Sequence, residues 1–332
     1  MASALCGCGR FGFDKNLIDA RGSGDDAGAG DDAAGDDGGV GDDAMLDGSV
    51  TPSGWTVFAP APPTTNILTS VTGFAANNWW IGGVGPSLYQ FDGTSWVSRP
   101  GPTKDVNMLS PQAATDLWEV GTQCEVFRWN GTMWSANPPT TGCTNDSYIA
   151  AGGISATNMW LVGSFGRVDH LVGTTWSSLP QGSNIDLWSV WAAASNDVYI
   201  AGIKGSIRHW TGASIVNEDV GTNQVFSTVW GSSANDVWVV GASGLIYHKV
   251  NNGAWTQVSS PTTNILYGIW GTAANDIWAV GDAATVLHYD GSQWSAVTVA
   301  GLATTVSLRY VSGIPGVGIA AVGTNGTVIT HP

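Results

Sequence analysis

The chain has 332 residues, a formal charge of −15, 46 Gly and 18 Trp, and only 11% charged residues. That acidic balance excludes nucleic acid as a partner, because phosphate binding needs clustered Lys and Arg, and no apolar run reaches the roughly 18–20 residues that span a bilayer. Abundant Gly and aromatic residues with few helix formers predict short strands joined by tight turns.

The chain opens with "MASALCGCGRFGF". Leu5-Cys6-Gly7-Cys8 resembles a bacterial lipobox, with Leu three before and Gly one before a modifiable Cys8. Only a few residues precede it, fewer than a signal peptide needs, so residues 1–21 read as a truncated signal segment. Residues 22–53 follow, with "GSGDDAGAGDDAAGDDGGVGDDAMLDGS" carrying four Asp pairs and almost no apolar bulk. Such a segment cannot bury enough surface to offset its ordering entropy, which predicts a disordered acidic tether. Calcium loops alternate their oxygen ligands and close on a bidentate carboxylate, a pattern absent here. About 45 flexible residues reach roughly 35–40 Å. A Cys, an acidic tether and a globular domain form the layout of a surface lipoprotein. That layout implies an extracellular or cell-envelope location, with the lipid anchor as the one membrane link.

From residue 54 the sequence repeats itself. "ANDVWVVGASGLIYHKVNNGAW" at Ala234–Trp255 returns as "ANDIWAVGDAATVLHYDGSQW" at Ala274–Trp294. A turn residue recurs at Asn78, Asp116, Asn158, Asp197, Asp236 and Asp276, at intervals of 38, 42, 39, 39 and 40 residues. Two residues later stands Trp80, Trp118, Trp160, Tyr199, Trp238 or Trp278, and most units close with Trp96, Trp134, Trp176, Trp255 or Trp294; Ile215 replaces the closing Trp once. A period near 40 with four strand-sized pieces per unit predicts an all-β, seven-bladed β-propeller of four-stranded blades. In the sixth unit the predicted strands are 266–271, 276–280, 285–289 and 293–299. The seventh unit supplies three strands before the chain stops, and "SGWTVFAPAPPTTNI" from Ser53 holds the missing outer one. The N-terminal strand around Trp55 is therefore expected to close the ring and remove an exposed edge.

These units, with V-W-x-V-G, then I-x-H/R, then W, resemble the bacterial tectonin-like or Asp/Trp-repeat propellers over residues 54–332. "FDGTSW" and "YDGSQW" also resemble Asp boxes, although Asp and Gly are adjacent here. The tectonin-like resemblance implies a binding module for a glycan or an extracellular protein, and a monomer.

Four histidines fall at one slot, His170, His209, His248 and His288, with Arg128 and Gln90 at the same slot in two other blades. Equivalent positions on different blades are spread round a ring too wide for a shared metal. Each lies 12 residues after its turn residue, pairing Asp197 with His209, Asp236 with His248 and Asp276 with His288. The expected geometry sets the first residue of one strand against the end of its partner, giving a hydrogen-bonded latch. In the seventh unit Gly318 and Thr330 occupy both slots, and the pairing is lost as a whole. A sialidase-like site needs three Arg on one carboxylate, and the repeats contain only Arg99, Arg128, Arg167, Arg208 and Arg309. No nucleophile elbow, P-loop, zinc motif or close carboxylate pair occurs among them, so no catalytic residue, metal or cofactor is expected.

Cys124, in a turn of one blade, and Cys143, in the connection entering the next, are expected on one rim as a disulfide suited to an exported protein. The position nine before each turn residue differs in every blade: Thr69, Asn107, Ile149, Trp188, Ser227, Tyr267 and Arg309. A slot released from the repeat is a candidate binding slot. The expected ligand site lies at the channel mouth and is formed by Trp188, Tyr267, Arg309, Asn107, Lys204 and Asp282. Two other readings stand beside the binding module: a propeller hydrolase or lyase with a loop-built site, and an envelope assembly or scaffold factor.

Overall fold

The second strand of each blade is a nearly continuous run of apolar and small residues buried on both faces, as in Asp236–Gly241, and seven antiparallel four-stranded sheets result. The computed structural model describes residues 54–139, 143, 146–179 and 184–332; Cys8 and the expected tether lie outside them. Ser53–Pro332 forms one compact unit. Blade 1 runs outward through Leu68–Ala75, Asn78–Gly83, Ser87–Phe91 and Trp96–Ser98. The innermost strands of blades 2 to 7 are Val106–Ala113, Tyr148–Ser155, Leu187–Ala194, Phe226–Ser233, Leu266–Ala273 and Leu308–Ile314. Each touches the next, and the last touches the first, so the sheets form a ring.

The sixth blade shows where the sequence boundaries shift: its strands are Leu266–Ala273, Asp276–Gly281, Val286–Tyr289 and Trp294–Ala296. The outer strand is shorter than expected, because pairing with the third strand covers only Leu287, His288 and Tyr289. In blade 7, Thr56–Val57 supplies the outermost strand, with Thr56 opposite Thr330 and Val57 opposite Ile329. The N-terminal strand closes the ring.

Successive blades diverge outward, and aromatic pairs fill the wedges. The aromatic residue two into the second strand meets the closing Trp of the next blade edge-on: Trp80–Trp134 at 5.8 Å, Trp118–Trp176 at 5.9 Å, Tyr199–Trp255 at 6.1 Å and Trp238–Trp294 at 5.7 Å between ring centroids. Trp278 meets Trp55 in the same way at 5.4 Å. Trp55 therefore does for blade 7 what the closing Trp does elsewhere. Where Ile215 replaces that Trp, Trp210 of the third strand packs on Trp160 at 5.4 Å instead. Edge-to-face pairs add about 0.5–1.5 kcal/mol beyond the area they bury.

Trp55 is 2% exposed and belongs to the apolar cluster joining blades 6 and 7. Trp55→Ala is expected to lower stability by about 3–5 kcal/mol in denaturant unfolding. Deleting Gly54–Ala59 should lower it further, since that also strips the ladder from Val328–His331. A loss below about 1 kcal/mol for both would show that the ring does not depend on this strand.

Candidate functional site

The ring has two unlike rims. At the upper rim the innermost strands begin, and here the second strand turns into the third. These turns place a residue at φ between 55° and 59° at Gln123, Phe165, Lys204, Ser243 and Asn325. Their amides reach the neighbouring blade: Cys124 donates to the Asp146 carbonyl at 2.9 Å, Phe165 to Asp186 Oδ1 at 2.8 Å and Gly205 to the Gln224 carbonyl at 2.6 Å. Gly326 donates to the Asn66 carbonyl at 2.9 Å, stitching blade 7 to blade 1. Left-handed φ favours Gly or Asn, and an ordinary side chain there costs about 1–2 kcal/mol. Phe165 accepts that strain and is 64% exposed, the one large apolar side chain so exposed on this rim among the described residues.

The variable slot has a structural definition. In each blade the ladder skips the second residue of the innermost strand, so that in blade 1 Leu68 faces Gly83 and Ser70 faces Gly82 while Thr69 stands outside. Asn107, Ile149, Trp188, Ser227, Tyr267 and Arg309 are skipped likewise. A bulge frees its side chain from the sheet's alternation and re-aims it.

The six expected ligand residues do not form one site. Thr69 Oγ1 donates to the Val106 carbonyl at 2.6 Å and Asn107 Nδ2 to the Tyr148 carbonyl at 2.7 Å, so both tie one blade to the next. Tyr267, 3% exposed, donates to Asp282 Oδ2 at 3.2 Å, and the Arg309 guanidinium lies 4.2 Å from its ring centroid. Ser307 Oγ donates to Asp282 Oδ1 at 2.5 Å. Burial, then the Asp282 charge, outweighs the opposing pull of Arg309 and pushes the Tyr267 hydroxyl up to about 12. Tyr267, Asp282 and Arg309 thus pack together between blades 6 and 7. Trp188 is half-buried and Lys204 exposed, both in blade 4.

At the lower rim the six latches repeat. Gln90 Nε2 lies 2.7 Å from Asn78 Oδ1, Arg128 grips both oxygens of Asp116 at 2.7 and 2.9 Å, and His170 is 3.1 Å from Asn158. His209, His248 and His288 lie 2.6, 2.5 and 2.8 Å from Asp197, Asp236 and Asp276. The register differs from the expected one. His288 faces Trp278 across the ladder, and Asp236 faces Val250, so each latch runs diagonally. The diagonal lays the imidazole flat on the aromatic ring: Trp160–His170 at 3.8 Å, Tyr199–His209 at 4.1 Å, Trp238–His248 at 3.6 Å and Trp278–His288 at 4.2 Å. In blades 1, 5 and 6 the accepting oxygen also takes the indole N–H at 3.1 Å.

Two buried features depart from the repeat. Glu119 is 0% exposed, and of its surroundings only the Phe127 backbone favours its charged form. The matching residues are Ile81, Leu161, Ile200, Val239, Ala279 and Ala321. Burial, with the Glu125 charge adding to it, raises the Glu119 carboxyl well above the usual range. Glu218 is the opposite case. Burial opposes its charge, but hydrogen bonds from His209, Lys249 and Trp255 prevail and hold it at about 2. Cys124 and Cys143 are joined by a disulfide with Cα atoms 5.9 Å apart, closing a loop of sequence separation 19 between blades 2 and 3. A loop of that length stabilises by about 3 kcal/mol in the chain-entropy model. Among the described residues no group of three His, Cys, Asp or Glu could hold a metal ion.

The class of protein so defined is a seven-bladed β-propeller. No family model and no curated sequence matches the chain. Solved structures are similar to it in fold. YCF48 from Cyanidioschyzon merolae matches with a TM-score of 0.68 and 15% identity, covering 83% of this chain and 98% of that one. YCF48 bound to D1 peptide matches with a TM-score of 0.67 and 16% identity over 83% and 94%. The WD40 propeller domain of Doa1 matches with a TM-score of 0.67 and 14% identity over 83% and 96%. At these identities the likeness shows the fold.

Glu119 gives a stability prediction. With its folded pKa above the unfolded value near 4.5, the contribution of Glu119 to stability is fully present below pH 4.5 and is lost as pH rises through the folded pKa. Glu119→Leu, the residue at Leu161, should remove that dependence and raise stability at pH 7 by about 1–3 kcal/mol. Unchanged pH dependence in denaturant titrations would show Glu119 to be ionised and paired.

The latches give a second. For His209 burial opposes the proton, but the Glu218 and Asp197 hydrogen bonds and charges raise its pKa; for His170, facing neutral Asn158, burial lowers it. His209 therefore adds stability below pH 6.5 that is lost as pH rises through its raised pKa. His170 adds stability above pH 6.5 that is lost as pH falls through its depressed one. In NMR titration His209 should titrate above 6.5 and His170 below it, and Asn158→Asp should move His170 upward. Identical midpoints for the two would contradict the latch electrostatics.

Proposed function

We propose that the chain is a non-enzymatic binding module that takes a protein ligand on its upper rim, outside the reducing cytoplasm. The observation that carries this reading is the split between the rims. The side-chain latches that order each hairpin repeat at the lower rim, whereas the upper-rim bulge residue differs in every blade, and Trp188 and Phe165 are left part-exposed there. Groups freed from the fold's requirements and partly open to solvent are what recognition needs. A disulfide between Cys124 and Cys143 supports an exported location, since such bonds persist in oxidising compartments. In this reading Cys8 and the acidic segment after it anchor and space the propeller from an envelope surface.

A similar structure is of YCF48 bound to D1 peptide, which supports a protein ligand ahead of a glycan. The fold alone does not assign function. The test screens the full chain against a random peptide display and a glycan array under identical conditions. Peptides should be selected, no glycan retained and no product released, with Trp188→Ala weakening selected peptides at least tenfold. Asp92→Ala, at an exposed turn on the other rim, should leave their binding unchanged. Retention of glycans alone, or release of a cleaved product, would overturn the proposal.

A further inference from the structure

The upper rim of blades 3 and 4 carries three side chains, Phe165, Trp188 and Lys204, on segments that hydrogen bonds tie to a single residue. That residue is Asp186, two residues before Trp188. Its carboxylate accepts the Phe165 amide from the blade 3 turn at 2.8 Å, and its carbonyl accepts the Ile203 amide from the blade 4 turn at 3.1 Å. Phe165 is thereby fixed on one side of the start of this innermost strand, and Lys204, next after Ile203, on the other. Trp188 is the bulge residue between them, outside the strand ladder.

Phe165 and Lys204 are both placed at a conformational cost. Phe165 adopts φ 57° and ψ 30° in a turn where blade 7 has Asn325 at φ 59°. An aromatic residue gains nothing for the turn from that backbone, and its ring faces solvent rather than the core. Lys204, at φ 58°, is exposed, and its ammonium has no acidic partner among the described residues. The acids connected to this region, Asp186 and Asp219, each give an oxygen to a backbone amide, of Phe165 and of Ile207.

We propose that Phe165, Trp188 and Lys204 form a docking patch for an extended peptide segment of a partner protein, one bearing an apolar ring or aliphatic side chain next to a carboxylate. The inference rests on the upper-rim reading above and names its place and its partner chemistry. Two aromatic surfaces take the apolar side chain by stacking and burial, and the single unpaired cation takes the acid beside it. A lone Lys is too sparse for a polyanion such as nucleic acid or an anionic membrane, which require clusters. A sugar needs several converging donors and acceptors to read its hydroxyls, and the carboxylate at the centre of this patch is already held by an amide.

A bead library of random dodecapeptides tests the patch, screened against the full chain and two variants. Selected peptides should share an aromatic, Pro or Leu residue within about three positions of Asp or Glu. Phe165→Asn, which copies the blade 7 turn, should weaken them at least tenfold while the melting temperature stays or rises; Phe165→Tyr should keep the binding. Lys204→Glu should turn the selected set from acidic to basic. Peptides that bind the wild type and both Phe165→Asn and Lys204→Glu equally would remove the patch while leaving an upper-rim site elsewhere. Failure to select any peptide would overturn the patch and the peptide-binding reading together.

Discussion

The structure depends on how the wedge between two diverging sheets is filled. One aromatic ring, two residues into the second strand, does this in six blades, and its position is over-determined. Its edge meets the closing Trp of the next blade, as in Trp238–Trp294. Its face carries the latch donor of its own blade, as in Trp238–His248. In three blades its N–H is also held by the latch acceptor. A buried indole without a partner is costly, so the acceptor at the start of the strand does two jobs at once: it orders the hairpin and orients the ring that joins hairpins into a ring of blades. Blade 7 shows the dependence by omission. Gly318, Ala320 and Thr330 replace acceptor, aromatic and donor together, and no member persists without the other two.

That arrangement divides the molecule by function. Interblade packing is satisfied in the wedges, and at the lower rim the latches that order each hairpin repeat at fixed slots. At the upper rim the fold asks only for a backbone turn and an amide pointing at the neighbour. Side chains there are released from the repeat. Some are then recruited into local packing: Thr69 and Asn107 tie neighbouring blades, and Tyr267 with Asp282 and Arg309 fills the mouth between blades 6 and 7. Phe165 in blade 3 and Lys204 in blade 4 are left exposed. Variation alone did not separate these two fates; exposure did.

Much of the architecture was legible because it is periodic. The interval near 40 gave the blade count, the truncated last unit gave closure by the segment around Trp55, and the constant spacing of 12 gave all six latch pairs. The pairing of Cys124 with Cys143 followed from two loops on one rim. What escaped reading depends on geometry that spacing does not encode. The latch is diagonal, so Trp278 and not Asp276 faces His288, and the stacked imidazoles were invisible without that register. The bulge explains why the variable slot varies, yet a bulge leaves no residue signature when its seven occupants share nothing. Two signals were present and unused: Glu119 breaks a column that is otherwise apolar, and Phe165 breaks a turn position otherwise small or polar.

These two exceptions differ in kind, and the difference bears on where function lies. Glu119 is enclosed and sealed from solvent, and its surroundings supply no cation. Its effect falls on stability. Phe165 lies at the surface, where removing its ring would relieve a strained backbone and an exposed apolar side chain together. Proteins retain such local penalties where the surrounding structure holds them in place and the site needs them. Here the Asp186 carboxylate holds the Phe165 amide directly, at the start of the strand that also carries Trp188. A turn serving only to connect two strands is already solved by Asn325 and Ser243 elsewhere in the same ring. The left-handed backbone belongs to the turn and recurs from Gln123 to Asn325; the aromatic side chain at Phe165 is the part that the turn does not require.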